Sequence, residues 1–224
     1  MNIQTIVFMD LEATCLKDAG RPRISELSLV AVRTEDFLQW QDRIDRKAIP
    51  RILNKLTICV NPMSLILPEV SSITGLDNYN LFEQTKFDAS LVRMINDFVK
   101  RLPAAVCLVA HNGDKYDFPL LKAEIHKCGE KIDHSLLCAD SYKALKSIIE
   151  SKQNIKQNIS FSLGNLYNKF FGSFPEFSHG AEEDCYTLMK VSSVFNADFI
   201  DWIEDNNYKF RHCFPMWYMA DNTK

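Results

Sequence analysis

An α/β fold is what this sequence predicts, a mixed sheet covered by helices within one domain. Three observations carry that reading. Two β-rich apolar runs, Ile3 to Met9 and Ile24 to Arg33, stand near the amino end. From residue 87 onward an amphipathic stretch, a buried strand and a further helical stretch follow one another, and the last third of the chain reads as helices. A chain of 224 residues is long for one average domain and short for two, and it can bury a full core without disulfide or metal staples.

Taken in order, the first two strands are joined by a loop through Thr14 to Arg23 and are expected side by side in one sheet. Thr34 to Leu53 mixes charges with isolated apolar residues, carries Pro50 and is the least readable stretch. Lys55 to Val60 alternates as a strand does and stops at Asn61-Pro62, because proline cannot continue a central ladder. Pro68 to Leu76 reads as a short helix closed by Gly75. Phe87 to Arg101 has apolar residues at 91, 92, 94, 95, 98 and 99, the spacing of an amphipathic helix. Ala105 to Ala110 is a short buried strand, His111 to Asp114 a turn, and Tyr116 to Lys127 a helix with Gly129 beyond its end. Asp140 to Glu150 reads as helical, Ser151 to Ser160 as a polar loop, and Ser162 to Phe171 as a helix opened by a serine cap. Ala181 to Phe195 is a long helix, followed by a smaller one around Phe199 to Asn206. No internal repeat or linker is visible.

Composition excludes several classes. With 46% hydrophobic and 25% charged residues the chain lies well outside the disordered range. A formal charge of −3 gives no global attraction to nucleic acid, so phosphate binding needs a local basic surface or bound cations. Two divalent ions in an acidic cluster would add about four positive charges and reverse the local sign. The seven cysteines, Cys15, Cys59, Cys107, Cys128, Cys138, Cys185 and Cys213, are odd in number and never form a C-x-x-C pair, so they read as reduced thiols, mostly buried. No signal peptide is visible, and the longest apolar run, Ala104 to Ala110, is far below the roughly 20 residues of a membrane helix. A soluble protein of the cytoplasm or nucleus is expected.

Three places in the sequence could carry chemistry. Asp10 and Glu12 end the first apolar strand one residue apart, so a period of two puts both carboxylates on one face. Such a pair repels itself unless cations or donors neutralise it. The bland reading is a solvated strand end, but four consecutive apolar residues precede Asp10, and a core-facing strand has little reason to end in paired acids. Asp117 stands where a turn leads from a buried strand into a helix. Capping is its plain alternative, and Asp114 is at least as good a candidate for that. Within the first helical turn, Asp117 would instead point back to the strand ends, where ligands collect in α/β sheets. His179 precedes a helix start and Asp184 lies in its first turns. The run Glu182-Glu183-Asp184 could simply suit the helix dipole. Three acids exceed what capping requires, however, and Asp184 leads into an apolar face with Leu188 and Val191, where an acid needs a partner such as a metal.

Together these residues give the order D-x-E, D and H-x-x-x-x-D, the acids and base of a two-metal phosphodiesterase. In that mechanism two divalent ions roughly 4 Å apart hold the scissile phosphate, one activating water and the other stabilising the leaving 3′ oxygen. Carboxylate oxygens suit Mg²⁺ or Mn²⁺, and a lone histidine argues against zinc. The assignment has Asp10 bridging both ions, Glu12 and Asp184 completing the nucleophile's metal site, Asp117 holding the second ion through water, and His179 accepting the proton of the attacking water.

Asp10-Leu11-Glu12-Ala13-Thr14, the stretch Val109 to Leu121, and His179 to Asp184 resemble the three motifs of the DEDDh exonucleases, and within them most closely the TREX family of three-prime repair exonucleases. The likeness includes Asn54 to Val60 with Pro62, Ile73-Thr74-Gly75-Leu76, Asp140-Ser141 with Ala144-Leu145-Lys146, and Ser162-Leu163-Gly164 with Tyr167, and it runs from Ile6 to Tyr218. What the resemblance implies is an RNase H-like fold, a homodimer, and 3′→5′ removal of nucleotides from single-stranded or frayed DNA 3′ ends. It further implies that Leu16 and Ile73 pack against the terminal bases, that Tyr116 lies near the scissile phosphate, and that the backbone at Glu12 and Ala13 contacts the last nucleotide. For Leu16 and Ile73 the alternative is core packing, and for Tyr116 an aromatic packed on the sheet.

The chain departs from the family pattern at Cys15, where glycine is usual, at Phe161 in place of tyrosine, and at Lys115 in place of arginine, which removes bidentate geometry towards a phosphate. The proline-rich segment and the long apolar tail of some members are missing, so neither a polyproline-reading partner nor a membrane tether is expected. The loop Glu150 to Asn158, with Lys152 and Lys156, is a candidate DNA contact or else a solvated loop, and Lys55 to Val60 a candidate edge strand for dimer pairing or else an internal one. Rival readings are an exoribonuclease, a proofreading subunit of a polymerase, and a nucleic-acid-binding protein with a dead site. The last of these predicts a lost ligand, yet all five expected side chains are present.

Overall fold

β-branched and apolar residues dominate the segments that pair. In the computed structural model, which describes residues 2–15, 20–40, 49–152, 160–176 and 178–217, they build one six-stranded sheet. The strands are β1 (Thr5–Ala13), β2 (Ile24–Arg33), β3 (Ile52–Cys59), β4 (Val106–Ala110), β5 (Leu137–Asp140) and β6 (Tyr208–Lys209), in the spatial order β3-β2-β1-β4-β5-β6. β1 runs parallel to β4 and β4 to β5, while the β1–β2, β2–β3 and β5–β6 pairs are antiparallel. The mixed sheet expected from the sequence is therefore present, with the first two strands adjacent.

Helices cover both faces: α1 (Thr34–Gln39), α2 (Pro68–Thr74), α3 (Ala89–Lys100), α4 (Asp117–Lys127), α5 (Ser141–Lys152), α6 (Leu163–Phe171), α7 (Ala181–Ser193) and α8 (Asn196–Asn206). Alternation along β1 divides the core in two. Val7, Met9 and Leu11 face a cluster with Leu91, Val92 and Ile95 of α3 and Phe118, Leu120 and Leu121 of α4. Ile6 and Phe8 face the other cluster, with Ala144 and Leu145 of α5, Leu188 and Val191 of α7 and Phe199 of α8. Asp10 and Glu12 belong by period to the row of Ile6 and Phe8.

Some expectations need correction. The unreadable stretch 34–53 contains α1, a six-residue helix too short to show a period. Asp140 ends a strand rather than opening a helix, because β5 is a wholly buried four-residue run in which no alternation can appear. Ser162 occupies the position before α6, but its hydroxyl makes no capping bond and accepts instead from the Asn165 side chain at 2.8 Å. Gly75 closes α2 as expected, at φ +71, with its N–H on the Ser71 carbonyl at 2.9 Å. β3 is indeed an edge strand, and all seven cysteines are free, with Cys15, Cys107, Cys138 and Cys185 buried. No helix among the described residues is long and apolar enough to cross a membrane.

Candidate active site

The acid pair sits where the apolar row of β1 runs out. β1, β4 and β5 end on the same side of the sheet, and from there emerge Asp10 and Glu12, the turn 111–116 with Asp117 behind it, and Asp140. α7 crosses the face beneath, and the Cys185 thiol donates to the carbonyls of Phe8 (3.4 Å) and Ser28 (3.7 Å), which seats the start of that helix on the strands. One residue earlier, Asp184 is thereby brought to the acid pair. One carboxylate oxygen from each of Asp10, Glu12 and Asp184 lies within 4.8 Å of the others.

Asp117 is the first residue of α4 and only 5% exposed. Its turn is built tightly: a Cβ on Gly113 would lie 2.7 Å from Ala110 Cβ and 2.8 Å from the Phe118 ring, so only glycine fits. The capping alternative is not realised. No side chain caps α4, and Asp114 instead takes Lys143 Nζ at 2.5 Å and the Tyr208 hydroxyl at 2.6 Å.

Burial raises all four acids, and repulsion within the cluster adds to it at Asp10 and Glu12. Burial, then the charges of Asp117, Asp184, Glu12 and Glu26, hold the Asp10 carboxyl well above the carboxylate range. Burial with Asp184, Glu26 and Asp117 pushes Glu12 up to about 8. Asp117 is raised to about 7 by burial, against the pull of backbone N–H groups at Asp117 and Leu11. Asp184 is raised by burial and partly relieved by the His179 N–H, which donates to Oδ2 at 3.2 Å. None of the ion pairs among the described residues involves these four acids. A cluster of hard oxygen donors with uncompensated charge suits a divalent cation of the Mg²⁺ or Mn²⁺ type.

His179 has φ +66, a left-handed conformation uncommon for a residue with a side chain, and the Asp184 carboxylate holds that turn. Its imidazole borders a cavity of about 270 Å³ together with Glu12, Ala13, Ile73 and Tyr116. The Tyr116 hydroxyl donates to the Cys15 carbonyl at 2.9 Å while its ring packs on the core. Leu16 and Lys156 lie outside the described residues. Lys152 forms an ion pair with Asp198, and Lys115 is exposed on the turn ahead of Asp117.

Two supporting acids escaped sequence reasoning. Glu26 stands opposite Glu12 on β2 and accepts the Ala181 N–H at 2.9 Å, binding the first turn of α7 to the sheet. Asp140, 2% exposed, accepts the backbone N–H groups of Asn112 (3.1 Å), Asp114 (3.3 Å) and Tyr142 (2.9 Å), so it holds the turn that delivers Tyr116 and Asp117. The available signal for Asp140 was a buried acid amid apolar neighbours. For Glu26 it was an acid in an apolar strand, legible only once the register was known.

A family model described as Exonuclease matches residues 7–192. Three prime repair exonuclease 2 of Homo sapiens is 34% identical over 225 residues, spanning 98% of this chain and 95% of that protein. Three-prime repair exonuclease 1 of Bos taurus is 37% identical over 231 residues, spanning 99% of this chain and 73% of that one. Among solved structures, the zinc-bound E. coli ExoI-ssDNA complex superimposes with a TM-score of 0.69 at 15% identity, over 90% of this chain and 43% of that one. The nuclease domain of 3′hExo, a DEDDh family member bound to rAMP, gives 0.66 at 14% identity, over 88% of this chain and 93% of that one. At these identities the two structures establish the fold, which is RNase H-like. By sequence, the chain belongs to the three-prime repair exonucleases of the exonuclease family and is a 3′→5′ exonuclease.

Proposed function

We propose that the chain is a Mg²⁺-dependent exodeoxyribonuclease of the DEDDh type that shortens single-stranded or frayed DNA from the 3′ end and releases nucleoside 5′-monophosphates. The convergence of Asp10, Glu12 and Asp184 within 4.8 Å carries the reading, with Asp117 buried at the same strand ends and His179 beside the adjoining cavity. In this reading Asp10, Glu12 and Asp184 would hold one ion, and Asp10 with Asp117 would hold a second. Such cations supply charge against the phosphate and acidify the attacking water, and Mn²⁺ substitutes for Mg²⁺.

The chain's own groups do the rest. His179 accepts the proton of the water as its oxygen joins the phosphorus and the bond to the leaving 3′ oxygen breaks. Glu12 and Ala13 present backbone to the last nucleotide, Ile73 and Leu16 pack against the terminal bases, and Tyr116 stands beside the scissile phosphate. DNA is favoured over RNA by the company of repair exonucleases in sequence. We also take residues 1–224 as one domain of a soluble enzyme of the cytoplasm or nucleus, paired into a homodimer through the exposed edge of β3.

The test uses 5′-labelled and 3′-labelled single strands of matched DNA and RNA, with and without Mg²⁺, alongside Asp184→Asn. Stepwise shortening of DNA from the 3′ end is expected, lost in chelator and in the variant. Faster loss of RNA would move the assignment to an exoribonuclease, and shortening that survives Asp184→Asn would overturn the metal site.

A further inference from the structure

The segment around α2 leaves an unusual amount of apolar surface in water. Six of the eleven exposed large hydrophobic side chains among the described residues, Met63, Leu65, Leu67, Ile73, Tyr79 and Phe82, fall within residues 63–82. Single exposed apolar residues need no explanation, but a concentration of them does. Tyr79 is 91% exposed and Phe82 76%.

The backbone that carries these two rings is pinned. Asp77 Oδ1 accepts the N–H groups of Tyr79 (2.8 Å) and Asn80 (2.7 Å). Asn80 accepts the Asp77 N–H at 2.9 Å and donates to the Gly75 carbonyl at 2.9 Å. Asn78 accepts the Ile66 N–H at 3.0 Å and donates to the Ile66 carbonyl at 3.4 Å, while the Asn61 side chain donates to the Phe82 carbonyl at 2.9 Å. The folded chain has already met the ordering cost of this loop's backbone, so the two rings are carried on a preorganised frame, which favours binding.

Its place in the fold suggests what binds. β3 ends at Cys59, in register with Glu26, which faces Glu12, so residues 61–67 leave the sheet at its acidic end. The Leu67 N–H bonds the Thr14 carbonyl at 3.1 Å, and Ile73 borders the active-site cavity. Tyr79 follows Ile73 by six residues, a reach of at most about 20 Å. Tyr79 and Phe82, with Asn78, Asn80, Glu83 and Gln84, enclose a concavity of about 420 Å³. Its one charged group is the Glu83 carboxylate, which disfavours phosphate or an anionic membrane there. Exposed rings within reach of the active-site cavity fit the faces of bases, and every base has one.

We propose that Tyr79 and Phe82 form a stacking platform for unpaired bases of the substrate strand, upstream of the nucleotide being removed. The proposal rests on the reading of the chain as a nuclease of single-stranded ends. The double variant Tyr79→Ala/Phe82→Ala removes only exposed side chains, and a melting curve checks that it folds. Steady-state kinetics are then compared on oligodeoxynucleotides of graded length, from a dinucleotide to lengths well beyond the platform's reach. The expected result is a KM about tenfold higher on the long strands, an unchanged kcat, no change on the dinucleotide, and recovery with Tyr79→Trp/Phe82→Trp. An equal change at every length, no change at any length, or an altered mass by light scattering would overturn the platform, the last by assigning the rings to contact between copies. A wild-type protein inactive on every length would instead overturn the nuclease reading, and the platform with it.

Discussion

Removing a carboxylate from the acidic cluster should stabilise the cation-free protein. Glu12 shows why. Its carboxyl ordinarily releases a proton at 4.5 and in the fold is pushed to about 8 by burial and by Asp184, Glu26 and Asp117. Between those values the folded state holds a proton that the unfolded state has lost, so stability falls as pH rises, by about 1.36 kcal/mol per pH unit. At pH 7.5 the accumulated cost approaches about 4 kcal/mol, an upper figure because the four acids share their protons. Glu12→Gln abolishes it. In chelator at pH 7.5 the variant should gain about 2 to 4 kcal/mol, which raises Tm by several degrees at about 2–4 °C per kcal/mol for a domain of this size. At pH 4 both proteins should melt together, and saturating Mn²⁺ at pH 7.5 should reverse the order by stabilising the wild type more. Thermal melts across pH, with and without the ion, measure all three. A variant no more stable than wild type at pH 7.5 in chelator, or equally favoured at pH 4, would refute the repulsion argument.

Other consequences can be checked separately. His179→Asn leaves an exposed position and should fold normally, yet lower kcat by about 10²- to 10⁴-fold in single-turnover assays. Arg23→Ala strips the bidentate partner (2.5 and 3.0 Å) from Glu124, whose side chain is almost wholly buried, and should cost about 3–5 kcal/mol by urea denaturation. Gly113→Ala forces its methyl against Ala110 and Phe118, so about 1–3 kcal/mol of stability and most of the activity should be lost together. Asp140→Ala orphans three backbone N–H groups of the neighbouring turns, and calorimetry should show a loss of at least about 2 kcal/mol.

How far the sequence could be read depended on the range of the interactions involved. β2 spans the predicted residues and α4 differs by one, because their patterns are long enough to show a period and Gly129, at φ +68, lies just past the end of α4. The acids of β1 were legible because a charge interrupts an apolar row. β5 was not, since four buried residues carry no period, and β6 has only two. Glu26 and Asp140 were missed for a related reason. What each does depends on a neighbour 155 and at most 28 residues away in sequence, Ala181 in one case and the turn at Asn112 in the other.

The run Glu182-Glu183-Asp184 shows where composition stops and geometry begins. Successive helical residues point about 100° apart, so three adjacent acids cannot share one task. Glu182 turns to the edge of the sheet and binds Lys55 at 2.6 Å, Thr57 at 2.7 Å and the Tyr186 hydroxyl at 2.7 Å, which keeps its carboxyl below the usual range. Glu183 folds back over Gly180, where any Cβ would meet its carboxylate. Only Asp184 faces β1, and there the row Ile6, Phe8, Asp10, Glu12 changes from apolar to acidic beneath it. The same helix is thus fastened to the sheet by one acid and exposed to repulsion by another. Because Glu182 and Glu26 hold α7 in place, Asp184 cannot swing away from Asp10 and Glu12, and the repulsion is left for a cation to relieve.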